Sequence, residues 1–211
     1  MKYLALSLWL LGSCMGFSQD YDPFAYVPPS DPNGKMSSRT VLDPIRLKAF
    51  QEPYLDKGTG DDRDLIRITI SRSFHAPVML KWYPGKEGES SQLQVKVLKK
   101  GDDGESYSRI GLEKNITISA QQRDLLTRMV ESSKATSLPA PCWQGAMLDG
   151  STWIYEFASK GDSICLERKS PILSGIEIEN LDKKRLLRET HLTALTMMLW
   201  QLADLKGEEL Y

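Results

Sequence analysis

The fold is decided by residues 149 to 171, Asp149-Gly150-Ser151-Thr152-Trp153-Ile154-Tyr155-Glu156-Phe157-Ala158-Ser159-Lys160-Gly161-Asp162-Ser163-Ile164-Cys165-Leu166-Glu167-Arg168-Lys169-Ser170-Pro171. Asp149-Gly150 and Lys160-Gly161 are turn signals, and Ser170-Pro171 is a stop, because proline cannot continue a ladder of hydrogen bonds. With Lys160-Gly161 as a two-residue turn, Ser159 faces Asp162. The pairing then runs back through Phe157:Ile164, Glu156:Cys165, Tyr155:Leu166, Ile154:Glu167 and Trp153:Arg168. Side chains alternate along a strand, so Trp153, Tyr155, Phe157, Ile164 and Leu166 share one face, with Arg168 at its edge against Trp153. That face is the core side of a sheet. The reverse carries Ile154, Glu156, Cys165 and Glu167 and is more polar.

Upstream, Asp64 to His75 alternates in the same way, with Ile66, Ile68 and Ile70 marking the buried side of a strand. Val78 to Trp82 reads as a second strand and Leu93 to Leu98 as a third, with Lys96 opposite Leu93, Val95 and Val97. Gly101-Asp102-Asp103-Gly104 ends the third. The short links favour antiparallel pairing, since parallel strands need a crossover. Asn115 to Ile118 leads into a helix at Ser119, where Ser119-x-x-Gln122 is a capping box and Leu125, Leu126, Met129 and Val130 form the apolar face. Ile176 and Ile178 suit one last short strand. Asn180 to Asp204 reads as the longest helix, its stripe made by Leu192, Leu195, Leu199 and Leu202 and widened by Leu187, Met198 and Trp200. Lys183, Lys184, Arg185 and Arg188 crowd its first turns, read as a solvated helix start. The fold class is α+β, a mostly antiparallel sheet packed against two helices in a single domain over residues 64–211.

The first 18 residues read as a signal peptide: Met1-Lys2, an apolar run from Tyr3 to Leu11, then small residues. The run is shorter than the roughly 20 residues that span a bilayer, so no transmembrane segment is expected. Two processing routes compete, cleavage after Ser18 and lipidation of Cys14 within Leu11-Gly12-Ser13-Cys14, which would leave a lipid anchor. Residues 19–63 form an irregular N-terminal segment, except that Val41 to Phe50 can make a short helix begun by Pro44. The formal charge of -1, from 27 basic and 28 acidic side chains, offers no basic field for a nucleic-acid backbone. Cys142 and Cys165 remain outside the leader, an even pair that an oxidising compartment permits to bond. Two thiols do not make a zinc site, and neither His75 nor His191 has a partner at metal-ligand spacing. No cofactor motif and no catalytic set is assigned.

His75, at a strand end in Ser73-Phe74-His75-Ala76-Pro77, and Glu156 are the residues around which a hydrolase would be built, with Asp149 as a further acid. No serine stands in a Gly-x-Ser-x-Gly elbow. On the sheet's reverse face, Glu156 needs a donor such as Arg67 or Arg72, because an unpaired buried carboxylate is costly. Trp143, Trp153 and Tyr155 suit a sugar cleft, but aromatics at alternate strand positions serve a core first.

Arg72-Ser73-Phe74-His75-Ala76-Pro77, then Asp149-Gly150-Ser151-Thr152-Trp153-Ile154-Tyr155-Glu156, then Arg168-Lys169-Ser170-Pro171 together resemble a group of small exported bacterial proteins with R-S-F-H-x-P, D-G-x-x-W-x-x-E and R-x-S-P stretches. The resemblance covers residues 64 to 171 and departs at Lys169, where a tryptophan is frequent, and at Cys142, where a bulky apolar residue is. It implies no catalytic residue. The expectation is therefore an exported binding or envelope-accessory protein whose partner is a protein or envelope component. The alternatives are a hydrolase using His75 and Glu156, and an immunity or inhibitor protein. Convergence of His75, Arg72 and Glu156 in an open polar cleft would favour the hydrolase.

Overall fold

The computed structural model describes residues 44–53, 55, 64–86, 89–138, 150–159, 162–169 and 183–208. In chain order the elements are α1 (Pro44–Phe50), β1 (Leu65–Arg72), β2 (Val78–Tyr83), β3 (Ser91–Lys100), β4 (Tyr107–Ile118), α2 (Ala120–Ser133), β5 (Ser151–Ser159), β6 (Asp162–Lys169) and α3 (Lys183–Ala203). A single 3-10 turn, Ala135–Ser137, follows α2. The strands form one antiparallel sheet in the order β4-β3-β2-β1-β5-β6, which is the α+β architecture.

The β5–β6 pairing has the register read from the sequence, from Ser159↔Asp162 through Glu156↔Cys165 to Trp153↔Arg168. Its apolar side joins the main core, where Ile66, Ile68, Ile70, Leu80, Trp82, Val95, Trp153 and Tyr155 pack beneath α2 and α3. Both buried indoles keep their N–H satisfied: Trp82 donates to Ser91 Oγ at 2.7 Å and Trp153 to Ser151 Oγ at 2.8 Å. α3 contributes Leu192, Leu195 and Leu199, and Thr196 donates to the Tyr155 hydroxyl at 2.9 Å. α2 begins with the capping box, Ser119 and Gln122 bonding each other's backbone N–H. Leu125 and Leu187 correct the predicted stripes, since both are exposed and the helices bury narrower faces.

Two further differences matter. β4 is a 12-residue strand, whereas only its last residues are recognisable in sequence. Gly111 and Ser108 are extra residues where the register with β3 shifts, so the period of two is broken twice. At Gly111 a Cβ would stand 2.9 Å from Lys99 Cβ, which is why the bulge carries glycine. The second face of the sheet is also a core. β1 is buried on both sides, and Met79, Leu98, Ile154 and Cys165 pack with Leu47, Ala49 and Phe50 of α1. The short helix begun by Pro44 thus lies within the stretch read as irregular, and packs on the sheet. Cys165 is buried in this second core, and Cys142, its expected disulfide partner, lies outside the described residues. Residues 1–43, including the leader, Cys14 and Ser18, lie outside the described residues, as do Cys142, Trp143, Asp149, the Lys160-Gly161 turn, Pro171, Ile176 and Ile178.

Candidate functional site

Arg72, His75 and Glu156 do not form one site. Alternation along β1 sends Arg72 to the α3 side and Arg67 to the α1 side, where Arg67 is the direct partner of Glu156 on β5. Arg67 holds Glu156 with both arms, Nε to Oε2 at 2.6 Å and Nη2 to Oε1 at 2.7 Å. The donor that Glu156 requires is therefore Arg67, and both carboxylate oxygens are engaged within the sheet. Arg72 instead bonds the Ala76 carbonyl and Glu208 Oε2, the latter at 2.5 Å, and its guanidinium lies 5.5 Å from the Trp200 ring centroid. These contacts clamp the β1–β2 connection. Ser73 completes the clamp with its backbone N–H and hydroxyl, both bonded to Gly150 O at 3.1 and 3.0 Å. His75 sits half-buried in this connection and Phe74 is exposed beside it. His191 is half-buried on α3. Arg72, Trp153, Glu156 and Arg168 are all buried; Arg168 grips Glu189 at 2.7 and 2.9 Å, beside Trp153.

Two features were not read from the sequence. The first is a charge network between the sheet and the residues after α1. Glu52 accepts from Lys81 at 2.7 Å and Lys96 at 2.5 Å and lies 3.7 Å from Arg67, while Lys96 also donates to Phe50 O and Arg67 to Pro53 O. In the sequence Lys96 stands opposite Leu93, Val95 and Val97, and nothing local shows that residues after α1 cover that face. The hint available was that Met79 and Leu98, on the same face, are apolar.

Burial alone pushes the Glu52 carboxyl up, but the bonds and charges of Lys81 and Lys96 outweigh it and hold it below the ordinary glutamate range. Burial likewise opposes the charged form of Lys81, and Glu52 and Tyr83 outweigh it and hold the amine above the ordinary lysine range. A depressed carboxylate adds stability above its unfolded value, about 4.3, and loses it as pH falls through the folded value. A raised lysine adds stability below its unfolded value, about 10.4, and loses it as pH rises through the folded value. Wild type is therefore expected to exceed Glu52→Gln in stability at pH 7, with the gap closing on acidification below about pH 4.3. Urea unfolding at pH 7, 5 and 3 measures it, and a gap that stays constant contradicts this linkage.

The second feature is a groove of about 1270 Å³ on the opposite side of the sheet, between α2 with its following turn and the end where β1 starts and β5 finishes. Phe157, Ile164 and Val130 supply half-buried apolar lining, and Ser159, Ser163 and Thr127 add hydroxyls. Charges stand along α2. Arg123 pairs with Asp124 at 3.1 Å, and Arg128 and Lys134 are exposed at the lining with Glu131 between them. Asp64 accepts from Ser159 at 2.6 Å. From α3, Arg188 donates to Ser137 of the lining at 3.0 Å.

Among the described residues there is no group of three or more His, Cys, Asp or Glu placed to hold a metal ion, and no helix long and apolar enough to cross a membrane. Compared with known proteins, the chain matches no family model and no curated protein.

Proposed function

We propose that this protein is an exported binding protein that works without catalysis and takes an amphipathic ligand with an acidic end in the groove beside α2. The groove carries the reading. An open apolar surface with convergent polar groups is the usual form of a ligand site. Phe157 and Ile164 offer the apolar part of the ligand a place to leave water, while Arg128 and Lys134 of the lining, with Arg188 reaching Ser137 from α3, set three cations against the two acids Asp64 and Glu131. Export is supported by the Met1 to Ser18 pattern, and the ligand is then an envelope component. Glu156 is held by Arg67 and Arg72 faces the other side of the sheet, so the geometry lends the hydrolase reading no assembled site.

Fluorescence of N-phenyl-1-naphthylamine, a neutral apolar probe, tests the groove. Saturable enhancement is expected with wild type, and Ile164→Arg should weaken it at least about tenfold with the circular dichroism spectrum kept, since it puts a hydrated charge in the half-buried apolar lining where the probe would have to desolvate it. Dodecanoate should displace the probe better than dodecyltrimethylammonium. Absent saturation, or an Ile164→Arg variant that binds like wild type, overturns the proposal.

A further inference from the structure

The face of the sheet away from the groove carries a row of three cations for which its strands supply one buried carboxylate, Glu156. Arg67 on β1 and Lys81 on β2 are direct cross-strand partners, and Lys96 on β3 is the partner of Met79, the next same-face position along β2. All three have nearly buried side chains, at 0%, 12% and 7% exposure. Like charges set opposite each other weaken a sheet, and a buried charge without a counter-ion is costly. The strand carboxylates stand at the two ends of the row. Glu156 on β5 is spent on Arg67. Glu113 on β4 is 3.8 Å from Lys96, accepts from Gln94 at 3.0 Å and is 43% exposed. Among the described residues no strand carboxylate reaches Lys81.

The middle of the row is filled from outside the sheet. Glu52 places Oε1 on Lys96 and Oε2 on Lys81 and Arg67, with its side chain 3% exposed. Both oxygens are thus held by cations on three different strands, as a bound carboxylate's would be. Its carrier is a strap, α1 and the residues after it, that belongs to no strand ladder. The strap is held by Leu47 and Phe50, by the two carbonyl contacts to Lys96 and Arg67, and by Arg46 with Ser71. Lifting it breaks no sheet hydrogen bond.

We propose that Arg67, Lys81 and Lys96 form a binding site for a carboxylate ligand, and that Glu52 occupies it in cis as a built-in competitor. A carboxylate in trans takes the site when the strap is displaced, presenting two oxygens to the same three cations. This stands independently of the groove, which lies across the sheet.

The test uses the full chain carrying Glu52→Ala, which empties the site while keeping the strap's apolar anchors. Thermal unfolding is compared in sodium acetate and sodium chloride at equal ionic strength. Acetate should raise the variant's midpoint by about 3–5 °C over chloride and leave wild type level in the two salts, as expected for a ligand that binds only the folded, vacant site. Adding Lys81→Met to Glu52→Ala should abolish the acetate effect. If Glu52→Ala does not fold in chloride, recovery of its circular dichroism signal in acetate alone supports the site. A chain unfolded in both salts overturns it, and so does an equal response of variant and wild type. A capped tripeptide with one glutamate then separates sources: rescue at a lower concentration than acetate assigns the site to a polypeptide carboxylate, and rescue by acetate alone to a small free one.

Discussion

Trp153→Ala is expected to destabilise the protein by about 3–5 kcal/mol, the usual cost of removing a large aromatic from a core that only partly collapses. The indole is fully buried on β5, with Ile70 of β1 on one side and Arg168 of β6 on the other, so a void there has strands on both flanks that cannot close in. Its loss also removes the indole N–H bond to the Ser151 hydroxyl. Urea unfolding gives the number. A cost well under about 1 kcal/mol would mean that the ring adds little to the core, against the packing described here.

Removing Arg67 should be comparably severe. Arg67→Met leaves the Glu156 carboxylate, 7% exposed, without the two bonds that hold it, and breaking a buried pair from one side typically costs about 3–5 kcal/mol. Glu156→Ala should cost less, because Arg67 keeps Pro53 O and the neighbouring Glu52. The double variant Arg67→Met with Glu156→Leu should recover much of the loss, since replacing both ions with apolar groups removes the unpaired charge. A double-mutant cycle from urea unfolding decides it: additive losses would show that the two side chains do not act as a pair.

The hairpin was legible down to its register because a two-residue turn leaves one pairing that puts five apolar side chains on one face. The helix start at Ser119 was legible for a similar reason, a local pattern with a single geometric meaning. β4 was not, because each bulge shifts the alternation by one residue and an edge strand has little apolar content to show it. The second core escaped because it is assembled from distant pieces. Arg67 and Glu156 announce a need for partners, but nothing local says that residues as far upstream as Glu52 cover Lys81 and Lys96. The groove has no sequence signature either, since it is space left between α2 and strands that are remote in the chain.

The place of β1 in the strand order has a consequence for synthesis. β1 has its partner β2 next in the sequence, but its other edge waits for β5, and Arg67 and Glu156 are 89 residues apart. Until β5 leaves the ribosome, the nascent chain carries an isoleucine-rich strand with an open edge, the kind of surface on which chains associate wrongly. Arg67 stands in the middle of that strand. A charge there resists dry contact with a foreign strand, because only a partner offering a carboxylate at the right register can neutralise it. The residue that ties the finished sheet together thus also guards its unfinished edge, and Glu156 is the credential by which the correct strand is admitted.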